Sequence, residues 1–236
     1  MKILITGGSH VVALNQGFKH LAQSGEIPES LEIRVRHLGG GLSVAGEFFR
    51  PRADHIEITN EKFRKKFKRI PPRDVSYDMI ALSTALYSRP LWNKTDWAVY
   101  GIPGLSDDKI PISNSLLKRA IHDDHRHIIA FLSHLRSLGI AVCVVEGPRP
   151  FLHNIEVRRA GADLVKQIDS LYRSLTLEAL QREGIPVIPV PNAVFDEDGF
   201  MLDRYRHRNP KDKTHGNVEF GILMMRQVIQ FAEQLQ

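Results

Sequence analysis

The sequence is poor in cysteine and has no long apolar run. Cys143 is the only thiol among 236 residues, so no disulfide can form within the chain, a usage that suits a reducing compartment. It lies in Ile140-Ala-Val-Cys-Val-Val145, surroundings that make it a buried core thiol rather than a reactive one. No stretch approaches the roughly 20 apolar residues that a bilayer span needs. The N-terminus offers one lysine and an apolar run too short for a secretory signal, with no small-residue cleavage site after it. The chain is therefore expected to be cytoplasmic and without a membrane partner, unless a leader has been removed. Two phosphate-binding signatures are also missing. There is no Walker loop, and Val11 and Ala13 stand where a G-x-G-x-x-G turn would need further glycines. No tyrosine has a lysine four residues on, as short-chain dehydrogenases require.

What is present reads as one α/β domain spanning 1–236. The composition, 42% hydrophobic and 25% charged, is that of a globular chain long enough for a substantial core. Five segments read as buried strands: Lys2–Thr6, Glu32–His37, Asp78–Ser83, Ile140–Glu146 and Pro186–Val190. Helical stripes alternate with them. They run over Ala13–Gln23, through Leu117, Ile121, Ile128, Leu132 and Leu135, through Leu164, Ile168, Leu171 and Leu175, and through Val218, Ile222, Met225 and Ile229. Strands alternating with helices predict a parallel sheet covered on both faces. Two connections, 38–77 and 84–113, are too long for simple turns. Both leave the carboxyl ends of strands, where open α/β sheets bind ligands. The second, rich in Tyr87, Trp92, Trp97 and Tyr100, reads either as a wall over the site or as packing for a minor core.

The net charge of +5 mildly favours anionic partners. Its densest run, Lys62-Phe-Arg-Lys-Lys-Phe-Lys-Arg69, is read as a solvated face. No recognised binding motif accompanies it, and no nucleic-acid partner is expected.

Two places carry the chemistry. The apolar run Ile3-Leu-Ile5 stops at Gly7-Gly8, so Ser9 should sit where a strand ends and a helix begins. There a hydroxyl is presented at the sheet edge beside free backbone N–H groups. Near the other end, Asp212-Lys-Thr-His215-Gly-Asn217 places a carboxylate three residues before an imidazole. Folded back, that carboxylate fixes the tautomer and leaves Nε2 as a general base. Together these residues supply nucleophile, base and orienter, although Thr214 and Asn217 also suit a plain helix cap.

With Gly7-Gly8-Ser9-His10 at one end and Asp212-Lys-Thr-His215-Gly-Asn-Val-Glu-Phe-Gly221 at the other, the chain resembles the SGNH (GDSL-like) hydrolase superfamily. The resemblance implies a three-layer, flavodoxin-like fold with a five-stranded parallel sheet of order 2-1-3-4-5. It also implies hydrolysis of a carboxylic ester, such as an acetyl ester on a carbohydrate, with neither cofactor nor metal. Carried over by position, Ser9 is the nucleophile, His215 the base and Asp212 its orienter; the Ser9 N–H and that of Gly40 or Gly41 are oxyanion donors. The pattern departs from the family twice. Gly8 replaces an aspartate, and Ser83-Thr-Ala-Leu-Tyr-Ser-Arg-Pro90 stands where Gly-x-Asn-Asp belongs. Losing one oxyanion donor costs roughly 10²–10³ in rate, and Thr84 or Asn93 are candidates to replace it. An acyltransferase with the same triad, or a catalytically weak binding module, is the alternative.

The expected partner is a small-molecule or glycan ester, with Tyr87, Arg89, Trp92, Arg149 and Arg206 as candidate substrate contacts; the oligomeric state is left open. Arg204, Arg208 and Lys211 would add to a cleft for an anionic substrate. A zinc site from His122-Asp-Asp-His125-Arg-His127 is geometrically allowed. Polar residues at the head of an amphipathic helix are the preferred reading of that stretch.

Overall fold

The computed structural model describes residues 1–40, 44–105, 108–212 and 214–236. In chain order the elements are β1 (Lys2–Gly7), α1 (Val11–Gln23), β2 (Glu32–His37), β3 (Phe49–Pro51), β4 (Ile56–Ile58), α2 (Glu61–Arg64), β5 (Arg69–Ile70) and β6 (Met79–Ser83). They continue with α3 (Arg89–Lys94), β7 (Tyr100–Gly101), β8 (Ile110–Pro111), α4 (Asn114–Ser137), β9 (Ala141–Val145), α5 (Ile155–Ala160), α6 (Ala162–Arg182), β10 (Val187–Ile188) and α7 (Val218–Glu233).

Five of these strands form one parallel sheet in the order β10-β9-β6-β1-β2. Counting only those five, this is the expected 2-1-3-4-5. Its inner strands β1, β6 and β9 are mostly apolar because both faces are covered, whereas the edge strand β2 exposes Glu32, Arg34 and Arg36. Leu4, Ile80, Leu82, Val142 and Val144 face one core with Ile128, Phe131, Leu132 and Leu135 of α4. The alternate residues Ile3, Ile5, Met79, Ala81, Cys143 and Val145 face the other, with Leu14 and Leu21 of α1 and Met224, Met225 and Val228 of α7. Cys143 is fully buried, and burial pushes its thiol up to about 12. The fifth strand is shorter than its apolar run. Only Val187 and Ile188 pair with β9, because Pro186 and Pro189 on either side have no N–H to donate.

The two long connections have structure of their own. Residues 38–77 contain the antiparallel sheet β3-β4-β5, which lays Phe48, Phe49, Ile56, Ile58, Phe63 and Phe67 on the α4 side of the main sheet. Both phenylalanines of the basic run are thus core residues, and Lys62, Arg64, Lys65, Lys66 and Lys68 around them are exposed. Residues 84–113 hold α3 and the short β7–β8 pair. Their Leu91, Trp97 and Ile102 pack with Leu117 and Ile121 of α4 and with Leu164, Ile168 and Tyr172 of α6. Among the described residues, no helix is long and apolar enough to cross a membrane.

One contact sets the position of the chain's far end. A Cβ on Gly17 of α1 would lie 2.2 Å from the backbone of Gly221 in α7, and one on Gly221 would lie 1.9 Å from the Ala13 carbonyl oxygen. The two helices therefore touch backbone to backbone. Their amino ends, and the loops leading into them, are drawn together.

Candidate active site

β1 ends in a turn that requires glycine. Gly7 has φ +143°, and a side chain there would meet the Ser83 carbonyl oxygen at 2.5 Å. The next N–H, that of Gly8, donates to the same carbonyl at 3.2 Å. This close approach of β1 to β6 ends the strand at Gly7, and α1 begins four residues later at Val11. Ser9 is left between them at the carboxyl edge of the sheet.

The loop before α7 brings the second half of the site. The Asn217 side-chain oxygen caps α7, accepting from the Phe220 N–H at 3.1 Å, its side-chain amide donates to the Arg204 carbonyl, and its backbone N–H donates to the Tyr205 carbonyl at 2.9 Å. The His207 N–H donates to the His215 carbonyl at 2.8 Å. Asp212 Oδ1 accepts the N–H groups of Thr214 and His215, both at 3.1 Å. The loop is thereby fixed on both flanks. His215 Nδ1 lies 2.8 Å from Asp212 Oδ2, and Nε2 lies 2.6 Å from Ser9 Oγ, across 206 positions of sequence.

Partial burial alone would raise the Asp212 carboxyl. The two loop N–H groups and the imidazole outweigh it and hold the acid below its usual range. An ionised Asp212 accepts from Nδ1–H, which leaves Nε2 with a lone pair facing the serine hydroxyl. The geometry is that of a serine whose proton can be taken as its oxygen attacks.

A cleft of about 170 Å³ opens at this point, lined by Ser9, His10, Val12, Ala13, His207 and His215 among others. His10 is only 3% exposed, with its ring 4.6 Å from the Tyr87 ring and 5.0 Å from that of His215. Neither of its ring nitrogens has a protein partner among the described residues. Burial, with help from His215, drives its pKa down to about 3, so it is a neutral imidazole at ordinary pH.

Of the candidate oxyanion donors, the Ser9 and Gly40 N–H groups give no hydrogen bond to a protein acceptor among the described residues. Gly40 follows β2 and is exposed, while Gly41 lies outside the described residues. Thr84 is buried immediately past the end of β6. Asn93 is exposed on α3 and is not among the residues lining the Ser9 cleft.

Tyr87, Arg89, Trp92 and Arg149 do come together, lining a cavity of about 30 Å³ that Thr214 joins to the His215 loop. Burial raises the Tyr87 phenol. The two arginines there are already matched: Arg89 pairs with Glu156 and Arg149 lies 3.2 Å from Asp169, both buried carboxylates. Arg206 lines neither this cavity nor the Ser9 cleft and pairs with Asp203 at 3.4 Å. Arg204 lies over the Tyr205 ring at 4.7 Å. Sequence reasoning missed Glu156 and Asp169, since nothing local in a sequence marks a carboxylate as the partner of a distant arginine. It also missed Gly17 and Gly221; a glycine inside each of two amphipathic helices was the available signal.

The histidine-rich stretch falls in the middle of α4, not at a helix head as expected, and there the His122 and His125 rings stand 5.6 Å apart. His125 Nδ1 is 3.2 Å from the Thr176 hydroxyl, and burial lowers its pKa to about 4. Among the described residues, no group of three His, Cys, Asp or Glu side chains could hold a metal ion.

No protein-family model and no curated protein matches the sequence. Solved structures match its fold along its whole length. A GDSL-like lipase from Bacteroides thetaiotaomicron superposes with a TM-score of 0.53 at 12% identity, covering 100% of this chain and 89% of its own. The acetyl xylan esterase AlAXEase superposes with a TM-score of 0.53 at 12% identity, covering 98% and 99%. Similarity of this kind concerns architecture alone. The chain has the fold of the SGNH (GDSL-like) hydrolases.

Proposed function

We propose that this protein is a serine esterase that cleaves a short-chain carboxylic ester through a covalent acyl-enzyme. The observation that carries this reading is the unbroken relay from Asp212 through His215 to the Ser9 hydroxyl, with 2.8 Å and 2.6 Å links.

In the first half-reaction Ser9 Oγ attacks the ester carbonyl carbon and its proton passes to His215 Nε2. The imidazolium so formed is stabilised by Asp212. The oxygen of the tetrahedral intermediate takes up its negative charge beside the amino end of α1, where the Ser9 and Gly40 N–H groups serve as donors. As the intermediate collapses, the bond to the alcohol oxygen breaks and that oxygen takes the proton from His215. Water, deprotonated by the same imidazole, then attacks the acyl-serine and releases the acid. His10, held neutral, brings no competing cation to the base. A cleft of about 170 Å³ suits a short acyl group, and the acetyl xylan esterase among the similar structures supports an acetyl ester on a carbohydrate.

Labelling with a fluorophosphonate followed by peptide mapping tests the assignment without knowledge of the substrate. Adduct on the peptide bearing Ser9, lost in His215→Ala, is the expected result. Failure to label folded protein would remove the reading.

A further inference from the structure

The cations near the site fall into two groups. Arg89, Arg149 and Arg206 are each paired with a carboxylate. Arg159 and Lys211 have no carboxylate within 4 Å among the described residues, and both are exposed. They line one open groove of about 820 Å³ that runs up to His215, and among the described residues its only acidic lining residue is Asp212, whose carboxylate is hydrogen-bonded to the imidazole. The local fold presents both. The Asn209 side chain accepts the Lys211 N–H at 3.0 Å, and the Asn209 carbonyl accepts the Asp212 N–H at 2.9 Å, so Lys211 sits on a turn that ends at Asp212. On α5, Glu156 is turned inward to Arg89, and the neighbouring face carries Ile155 and Arg159, at i and i+4, into the groove.

We infer that the alcohol half of the ester is anionic and is held in this groove by Arg159 and Lys211. The inference rests on the esterase reading, which fixes direction. The leaving alcohol oxygen receives its proton from His215 Nε2, so that half of the substrate lies on the imidazole side, whereas the acyl half attaches to Ser9. Two unmatched cations beside the imidazole favour a negative charge there, carried on the alcohol as a carboxylate or a phosphate. Arg158 and Arg208, exposed and likewise without a carboxylate partner among the described residues, add to the same potential. Being solvent-facing, each direct contact should change selectivity by roughly 2–5-fold at low salt, and the effect should fade as salt screens it.

The test compares kcat/KM for phenyl acetate and for 4-acetoxybenzoate, two acetates that differ in a carboxylate on the alcohol. A parallel pair with a phosphate on the phenol identifies which anion is preferred. The wild-type protein should favour the anionic ester at low salt, and Arg159→Glu/Lys211→Glu should reverse that ratio by on the order of 10-fold. The ratio cancels any common loss caused by altering the neighbour of Asp212. Equal treatment of neutral and anionic esters, with turnover still dependent on Ser9, overturns the inference and leaves the esterase reading standing. Should neither ester be hydrolysed while fluorophosphonate still labels Ser9, binding decides the groove. Broadening of 4-acetoxybenzoate NMR lines by Ser9→Ala protein, absent with the charge-reversed variant, supports it; equal broadening by both overturns it.

Discussion

The backbone contact between α1 and α7 should govern both stability and turnover, and Gly221→Ala is the perturbation that separates this from ordinary packing. The added methyl would sit 1.9 Å from the Ala13 carbonyl oxygen and 2.6 Å from its carbon. Ordinary contact needs about 3.5 Å, so the helices must part by on the order of 1–1.5 Å. Both sides of the clash are main chain, so no side-chain rotation relieves it. Overpacking of this kind costs about 1–3 kcal/mol, which for a chain of this size lowers Tm by roughly 2–12 °C. The same movement carries the Asp212–His215 loop away from Ser9. A displacement near 1 Å at reacting groups costs about 10²-fold in rate. Differential scanning calorimetry and phenyl acetate turnover measure the two effects together. Gly25→Ala is the control: its φ of +70° makes alanine strained there, yet nothing lies within 4 Å of the added methyl. It should lower Tm by a few degrees, from a left-handed penalty of about 1–2 kcal/mol, and keep full turnover. Wild-type melting and turnover in Gly221→Ala would refute the reasoning.

Two further perturbations address the site's surroundings. Arg149→Met strands the buried Asp169 carboxylate, which among the described residues then keeps one side-chain hydrogen bond, from the Ser88 hydroxyl at 3.4 Å, and the more distant Arg173 charge. It should destabilise the fold by about 3–5 kcal/mol in urea titration, with most of that recovered in Arg149→Met/Asp169→Leu. An undiminished midpoint in the single variant would show the pair to be unimportant to folding. His10 has a folded pKa of about 3 against an unfolded value of 6.5. Its contribution is therefore complete above pH 6.5 and is lost as pH falls toward 3. Between pH 7 and 5 the loss should be roughly 2 kcal/mol, and His10→Leu should remove that part of the slope; an identical slope would mean that the ring is solvated.

Much of the architecture was legible because a parallel sheet buried on both faces writes continuous apolar runs. Ile3–Ile5, Ile80–Leu82 and Val142–Val145 announce themselves, and the helices betray themselves by the spacing of their apolar stripes. The short strands β3–β5, β7 and β8 did not, since two or three residues carry no period. Ser9 and the Asp212–His215 pair stood out because local turn chemistry marks each place. Their distance in space was fixed by Gly17 and Gly221, residues that look like defects in a helix until the partner helix is seen. The arginines were the hardest to sort. Arg149 and Arg159 look alike in sequence, but one is neutralised by a buried carboxylate on α6 and the other faces an open groove, a distinction made wholly by tertiary contacts.

The account stands on Ser9 as the attacking group. Steady-state turnover of phenyl acetate by wild-type and Ser9→Ala protein of equal melting temperature tests this most directly. Loss of roughly 10⁶-fold in kcat, the scale seen when a triad nucleophile is removed, is the predicted result. Hydrolysis that survives the substitution undiminished would contradict it.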